Sequence, residues 1–235
     1  MMIPAENHSE SGFSLIELMV AMVIGLILAA GAFKIFTAQE KVYSVQDQLL
    51  ERQQNIRAGL DNITRSLQMA GYDPVESDNF GITAYQAAAP FFPASNASTL
   101  ALAAASELYF TIDDSEDGTI DNNGDERFGF KINSNNLVSA SIQSSDGDIA
   151  SWQPVAENIE SMAVSYTYAD GTVSTAVGLP DNAVSNRNFK DIRSVTVTLT
   201  ARTAKEDPDF TDPDTGDHYH RETLASTVML RNLSY

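Results

Sequence analysis

Residues 13–33, beginning Phe13-Ser14-Leu15-Ile16-Glu17-Leu18-Met19-Val20, form a run of some twenty mostly apolar residues that carries a single charge, Glu17. A run apolar on every face leaves few options for folding. It is a helix in lipid or a helix packed among other helices. About twenty residues at 1.5 Å rise cover roughly 30 Å, the hydrocarbon thickness of a bilayer. Ahead of the run lies a short polar leader ending in Gly12. A secretory signal is cut after its apolar middle. Here the processing point precedes the apolar run, so the run stays with the mature chain.

The helical signal continues past the run. No proline occurs from residue 13 to residue 70. After Lys34 the pattern turns amphipathic. Val45, Leu49, Ile56, Leu60, Ile63 and Leu67 recur at spacings of three, four and seven, with Glu51, Arg52, Arg57, Asp61 and Arg65 between them. This predicts one helix over 13–70, about 85 Å long, in lipid at first and buried on one face later. Gly71 followed by Pro74 marks its end. Gly25 and Gly31, inside the apolar part, suit close helix packing or local unwinding.

Beyond the helix the sequence reads as β-structure. Residues 107–112 form a short strand. Residues 128–132 and 137–142 form a hairpin about 133–136, and residues 159–168 and 192–203 alternate apolar with polar side chains. Residues 224–230 form a final, weaker strand. Residues 73–106, rich in Ala, Pro, Ser and Asn, read as irregular with a short helix near Ala101. The expected class is α+β, a long N-terminal helix packed on a β-rich head. Its expected segments are 1–12 (leader), 13–34 (transmembrane helix), 35–72 (amphipathic continuation) and 73–235 (head).

Composition narrows the partners. The chain has 235 residues and a net charge of −18, from 14 basic and 32 acidic residues. Such a surface argues against nucleic acid, which needs Lys and Arg to neutralise phosphate. With no cysteine there is no disulfide, no thiolate nucleophile and no cysteine-bound zinc. No G-x-S-x-G, P-loop or H-E-x-x-H motif is present, so nothing points to an enzyme.

Gly12, Phe13 and Glu17 at the head of the apolar run together resemble the class III leader of type IV prepilins. The resemblance implies that prepilin peptidase cuts between Gly12 and Phe13 and methylates the new amine of Phe13. Unlike most leaders of that family, residues 1–12 carry no Lys or Arg; either the true start of the chain is a different one, or orientation rests on the apolar helix and Lys34. Later segments are similar to PilW-type minor pilins. These are Gln54-Asn55-Ile56-Arg57-Ala58, Ser66-Leu67-Gln68-Met69-Ala70-Gly71-Tyr72, Val155-Ala156-Glu157-Asn158-Ile159-Glu160 and Thr227-Val228-Met229-Leu230-Arg231-Asn232-Leu233.

That resemblance implies a minor pilin that primes pilus assembly, with roles in motility and adhesion. It would be inserted in the inner membrane with a periplasmic head and later carried to the cell surface. The implied partners are prepilin peptidase, the major and other minor pilins, the inner-membrane assembly platform and a tip adhesin. A pseudopilin of a type II secretion system shares this architecture and is the alternative. Many pilins close a C-terminal loop with a disulfide, so this chain must hold that region by other means.

Three groups of residues are candidates for function. Glu17, a lone carboxylate in an apolar helix, is costly in lipid; the amine created at Phe13, its own or a neighbour's, is the natural partner during assembly. The acidic stretch 113–126 partly fits a calcium loop. Asp113, Ser115, Asp117 and Asp121 take successive ligand positions around the turn glycine Gly118, and an overlapping choice uses Asp121, Asn123 and Asp125. Gly124 stands where a bidentate acid belongs. No cofactor is required, and Ca²⁺ is the candidate ion. The third group, Asp207, Asp209, Asp212, Asp214, Asp217, His218 and His220, reads best as a polar loop between the last two strands.

Overall fold

The computed structural model describes residues 14–77, 80–83, 106–119, 126–141, 152–175 and 191–233. Helix α1 spans Leu15–Met69 without a break. The chain divides into two compact units, Met1–Asp47 and Gln48–Tyr235.

In the first unit α1 is exposed on all faces over residues 15–44, with Leu15, Leu26 and Phe33 at 77%, 68% and 69% exposure. This stretch is long and apolar enough to cross a membrane. Apolar side chains on every face leave no stripe to bury against a single partner.

In the second unit α1 turns amphipathic. Of the positions picked out by spacing, Ile56, Leu60, Ile63 and Leu67 are buried there and Leu49 is half-buried; Val45, also half-buried, belongs to the first unit. This part of the helix packs on two antiparallel sheets. The first sheet has the order β1-β2-β3-β4-β5, from strands Ile82–Thr83, Glu107–Thr111, Arg127–Asn133, Asn136–Ser141 and Gln153–Ala156. The second has the order β7-β6-β8-β9, from Val173–Ser174, Ile159–Tyr168, Ile192–Arg202 and Arg221–Met229.

Gly59 marks where the helix meets both sheets. A Cβ placed there would lie 3.0 Å from Leu137 of β4, 3.1 Å from Leu199 of β8 and 3.5 Å from Ala156 of β5. The core grows around this contact from Ile56, Ile63 and Leu67 with Phe110, Phe130, Met162, Val164, Val195 and Val197. Phe110 stacks on Phe128 at 5.3 Å between ring centres.

Local chemistry explains the ends and turns. The helix ends at Met69, and Gly71 takes φ +74°, the left-handed conformation that glycine adopts most cheaply after a helix. The Asn232 amide, in the 3-10 turn Arg231–Leu233, donates to the carbonyls of Gln68, Met69 and Ala70. The chain's far end thus covers the acceptors the helix leaves open. The β3–β4 hairpin turns through Ser134 and Asn135 at φ 50° and 61°, the pairing that matches strand twist.

The strands expected at 107–112, 159–168 and 192–203 are present as β2, β6 and β8, and the hairpin as β3 and β4. The final strand, β9, starts at Arg221, three residues before the sequence pattern suggests. Strands β1 and β7, two residues each, are too short for periodicity to register, and Pro154 disguises the edge strand β5. The helix expected near Ala101 lies outside the described residues.

Candidate functional site

Glu17 sits in the first turn of α1, and its carboxylate accepts the Ser14 N–H at 3.2 Å. Ser14 is the cap residue and Glu17 the third helical position, so Ser14-Leu15-Ile16-Glu17 is the reciprocal half of a capping box. An acid here also meets the positive end of the helix dipole. The carboxylate is therefore held at the amino end of the helix. Gly12 and Phe13 themselves lie outside the described residues.

The first part of the acidic loop is built around Asp113, which is fully buried. Its two oxygens accept the N–H groups of Asp117 at 3.2 Å and Gly118 at 3.0 Å. Gly118 has φ +74°, and a Cβ there would meet that of Ser77 at 3.1 Å, so both backbone and space require glycine. Glu126, also buried, accepts the Ser115 N–H at 3.1 Å. Asp117 accepts both the hydroxyl and the N–H of Thr119, which lowers its carboxyl below the usual range. Beside the loop, the Glu116 carboxylate raises the Tyr72 phenol.

Asp113, Ser115 and Asp117 thus share one turn, whereas Asp121, Asn123 and Asp125 lie outside the described residues. Among the described residues no group of three or more His, Asp or Glu side chains is placed to hold a metal ion.

The β8–β9 loop, residues 203–220, is organised by a residue the sequence did not single out. Arg221, the first residue of β9, forms two bidentate pairs. It grips Glu160 at 2.6 and 2.9 Å and Asp217 at 2.6 and 2.6 Å. It also reaches Asp212 at 3.2 Å and Thr215 at 2.9 Å. Asp212 in turn accepts the amides of Asp214 and Thr215.

Paired forks of this kind are the strongest charge-assisted hydrogen bonds a protein makes. Arg221 holds the Asp217 carboxyl well below the usual carboxylate range, and the Asp214 amide does most to lower that of Asp212. On the other side of the loop, His220 meets Asp207 at 3.2 Å and stacks on Phe210 at 3.8 Å. His218 Nδ1 contacts the Phe210 carbonyl. Arg202 lies over the Tyr219 ring at 4.4 Å. In a chain without cysteine, this network ties the C-terminal loop to the sheet. Only the excess of acids ahead of a lone arginine could have signalled it, because Glu160 lies 61 residues away.

The architecture is that of one exposed apolar helix of membrane-spanning length, headed by Glu17 and continuous with a helix packed on antiparallel sheets. Residues 7–33 match the prokaryotic N-terminal methylation motif. Residues 45–225 match the family described as prepilin peptidase-dependent protein B. The chain belongs to that family and is a prepilin peptidase-dependent, type IV pilin-like protein. No curated protein matches the sequence. Among solved structures, a type IV-like pilin from Thermus thermophilus is similar at 16% identity and a TM-score of 0.43, over 77% of this chain and 97% of that one.

Proposed function

We propose that this chain is a minor pilin of the PilW type, processed by prepilin peptidase after Gly12 and acting to prime type IV pilus assembly. It would sit first in the inner membrane with its head in the periplasm, then in the pilus at the cell surface. Major and other minor pilins, the assembly platform and a tip adhesin would be its partners. The observation that carries this reading is the exposed apolar half of α1, headed by Glu17 and covered by the methylation motif.

A lone carboxylate at a helix start in lipid is stabilised by an adjacent positive charge. The N-methylated amine of Phe13, next to the Ser14 N–H that Glu17 already holds, would supply it. In a filament the same pairing between neighbours would offset both burial costs and fix axial register.

The test is deletion of the gene and complementation with wild type or Glu17→Ala. The expected result is a several-fold loss of surface pili on deletion, restored by wild type only, with Glu17→Ala still cleaved after Gly12. Unchanged pili on deletion, together with impaired protein secretion, would transfer the chain to the type II secretion pseudopilins.

Calcium at 113–125 is a separate proposal resting on the spacing of oxygen ligands. Titration of the full-length protein with millimolar Ca²⁺ should release heat and raise the melting temperature. Neither change would remove the ion from the account.

A further inference from the structure

Among the described residues the two sheets present four edge strands, β1 and β5 in the first and β7 and β9 in the second. Natural proteins blunt such edges with short strands, proline or bulges, because an open edge is a template for another strand. Three of the four follow that rule. Strands β1 and β7 have two residues each. Strand β5 has four, contains Pro154 and pairs with β4 through a register shift at Leu137 and Val138. Strand β9 is different. It has nine residues, Arg221–Met229, with no proline or lysine, and it pairs with β8 along its whole length without a shift. Its two charges, Arg221 and Glu222, sit together at one end.

The hydrogen-bond pattern shows what this edge offers. The Thr203 N–H donates to the His220 carbonyl, and the Leu230 N–H to the Arg193 carbonyl, both at 3.0 Å. These two pairs frame the β8–β9 ladder. At alternate steps between them, Glu222, Leu224, Ser226 and Val228 stand opposite Ala201, Leu199, Val197 and Val195. In an antiparallel pair the residues in between turn their N–H and C=O groups the other way. The backbones of Thr223, Ala225, Thr227 and Met229 therefore face the open edge. Among the described residues nothing hydrogen-bonds to them.

Burial falls off along the same line. On β8, Val195, Val197, Leu199 and Ala201 are at 0–1% exposure. On β9, Leu224 and Ser226, which stand opposite Leu199 and Val197, are only half-buried. The inner face of the second sheet stops one strand short of full cover.

Direction argues against a second copy of this chain as the occupant. Strand β9 runs the same way as α1, since Glu222 meets Arg52, Ser226 meets Thr64, and Asn232 meets Gln68, Met69 and Ala70. Two copies paired antiparallel through β9 would hold their α1 helices antiparallel. Chains anchored in one membrane with the same orientation cannot do that. This exclusion rests on the anchored reading above; the open edge does not.

We infer that the edge of β9 seats an extended segment of a different exported protein, added antiparallel as a further strand of the second sheet. What it lies beside sets its chemistry. The segment is uncharged, with apolar residues next to Leu224 and Val228 and small ones next to Thr223, Ala225 and Thr227. Backbone pairing supplies its attachment, and the alternation of its side chains supplies its selectivity.

The first test is amide hydrogen exchange on the full-length chain in detergent. The probe is a synthetic peptide copying residues 193–201 of β8, a sequence that already matches β9 on its other edge. At millimolar peptide, the amides of Thr223, Ala225, Thr227 and Met229 should exchange several-fold more slowly. Those of Leu224, Ser226 and Val228, already bonded to β8, should not change. No slowing, or equal slowing of both sets, would overturn the inference.

The second test is made in cells. A photoreactive benzophenone amino acid at Ala225 should give one discrete adduct, and mass spectrometry should map its partner end to an extended, uncharged segment of another protein. Thr223→Pro or Thr227→Pro removes an edge amide without touching the ladder to β8. Each should cut the adduct several-fold while cleavage after Gly12 continues. An adduct to a second copy of this chain, an adduct mapped to a helix, or no adduct at all would each contradict the inference. Should the proline variants fail to fold, the alternating exchange pattern in wild type still decides it.

Discussion

The two halves of α1 are one unbroken helix with opposite chemistry. In the half ending at Asp47, residues 15–44 are exposed, and large apolar side chains face outward in every direction. In the half from Gln48, Ile56, Ile63 and Leu67 are at 0–1% exposure and polar residues take the opposite side. The same backbone serves both. A stripe of apolar residues commits a helix to one surface within its own chain, whereas an all-round apolar surface can be satisfied only by lipid or by neighbouring helices on several sides. The second half makes the head a stable body; the first half is what another molecule must cover.

The comparison can be broken most severely at Leu67. Leu67→Ala should lower the stability of the head by about 2–5 kcal/mol, the usual cost of emptying a fully buried leucine site. Leu26→Ala, on the exposed half, should leave head unfolding unchanged. Denaturant titration of the full-length protein in detergent, followed through Trp152, separates the two. Equal losses from both substitutions would mean the halves are not energetically distinct.

Next comes the network that closes the head. Arg221→Met should cost on the order of 2 kcal/mol, because it leaves Glu160, Asp212 and Asp217 without their cation. The sign of its pH dependence follows from the lowered carboxyls of Asp212 and Asp217. A depressed folded-state pKa contributes stability that is complete above the ordinary carboxylate pKa of about 4, and that is lost as pH falls towards the folded-state value. The gap in melting temperature between wild type and Arg221→Met should therefore be constant from neutral pH to about pH 5 and shrink below pH 4. A gap that widened in acid would contradict the assignment.

A smaller effect is expected at Gly59. Gly59→Ala gains about 1 kcal/mol of helix propensity, but its Cβ must displace the ends of Leu137 and Leu199 by a few tenths of an ångström. The net change should lie within about 1 kcal/mol of zero. Gly59→Leu, which no such adjustment accommodates, should destabilise clearly by overpacking. Smallest of all is Glu17→Gln, with no measurable change in head melting. Its effect belongs to assembly, as a loss of filament incorporation.

Much of this was legible in the sequence, for identifiable reasons. The helix declared itself because no proline interrupts it and its apolar spacing changes only once. The strands β6 and β8 were plain from ten or so alternating residues each. Glu17 stood out as the one charge in an apolar run, yet its bond to Ser14 needed only the Ser-x-x-Glu spacing to be noticed.

Other features depended on tertiary pairing. Arg221 gathers partners 4, 9 and 61 residues away, and nothing local marks it as their centre. Asn232 closes a helix more than 160 residues earlier. Asp113 was visible as the first oxygen of a calcium-like spacing, but not that its carboxylate already holds two backbone amides.

The central claim is that the exposed half of α1 ends up packed in a filament, and the direct measurement is mass spectrometry of filaments sheared from the cell surface. The account predicts a low-abundance peptide beginning with N-methylated Phe13 beside a major pilin. An intact leader from Met1, or a processed chain found only in the membrane fraction under every growth condition, would contradict it.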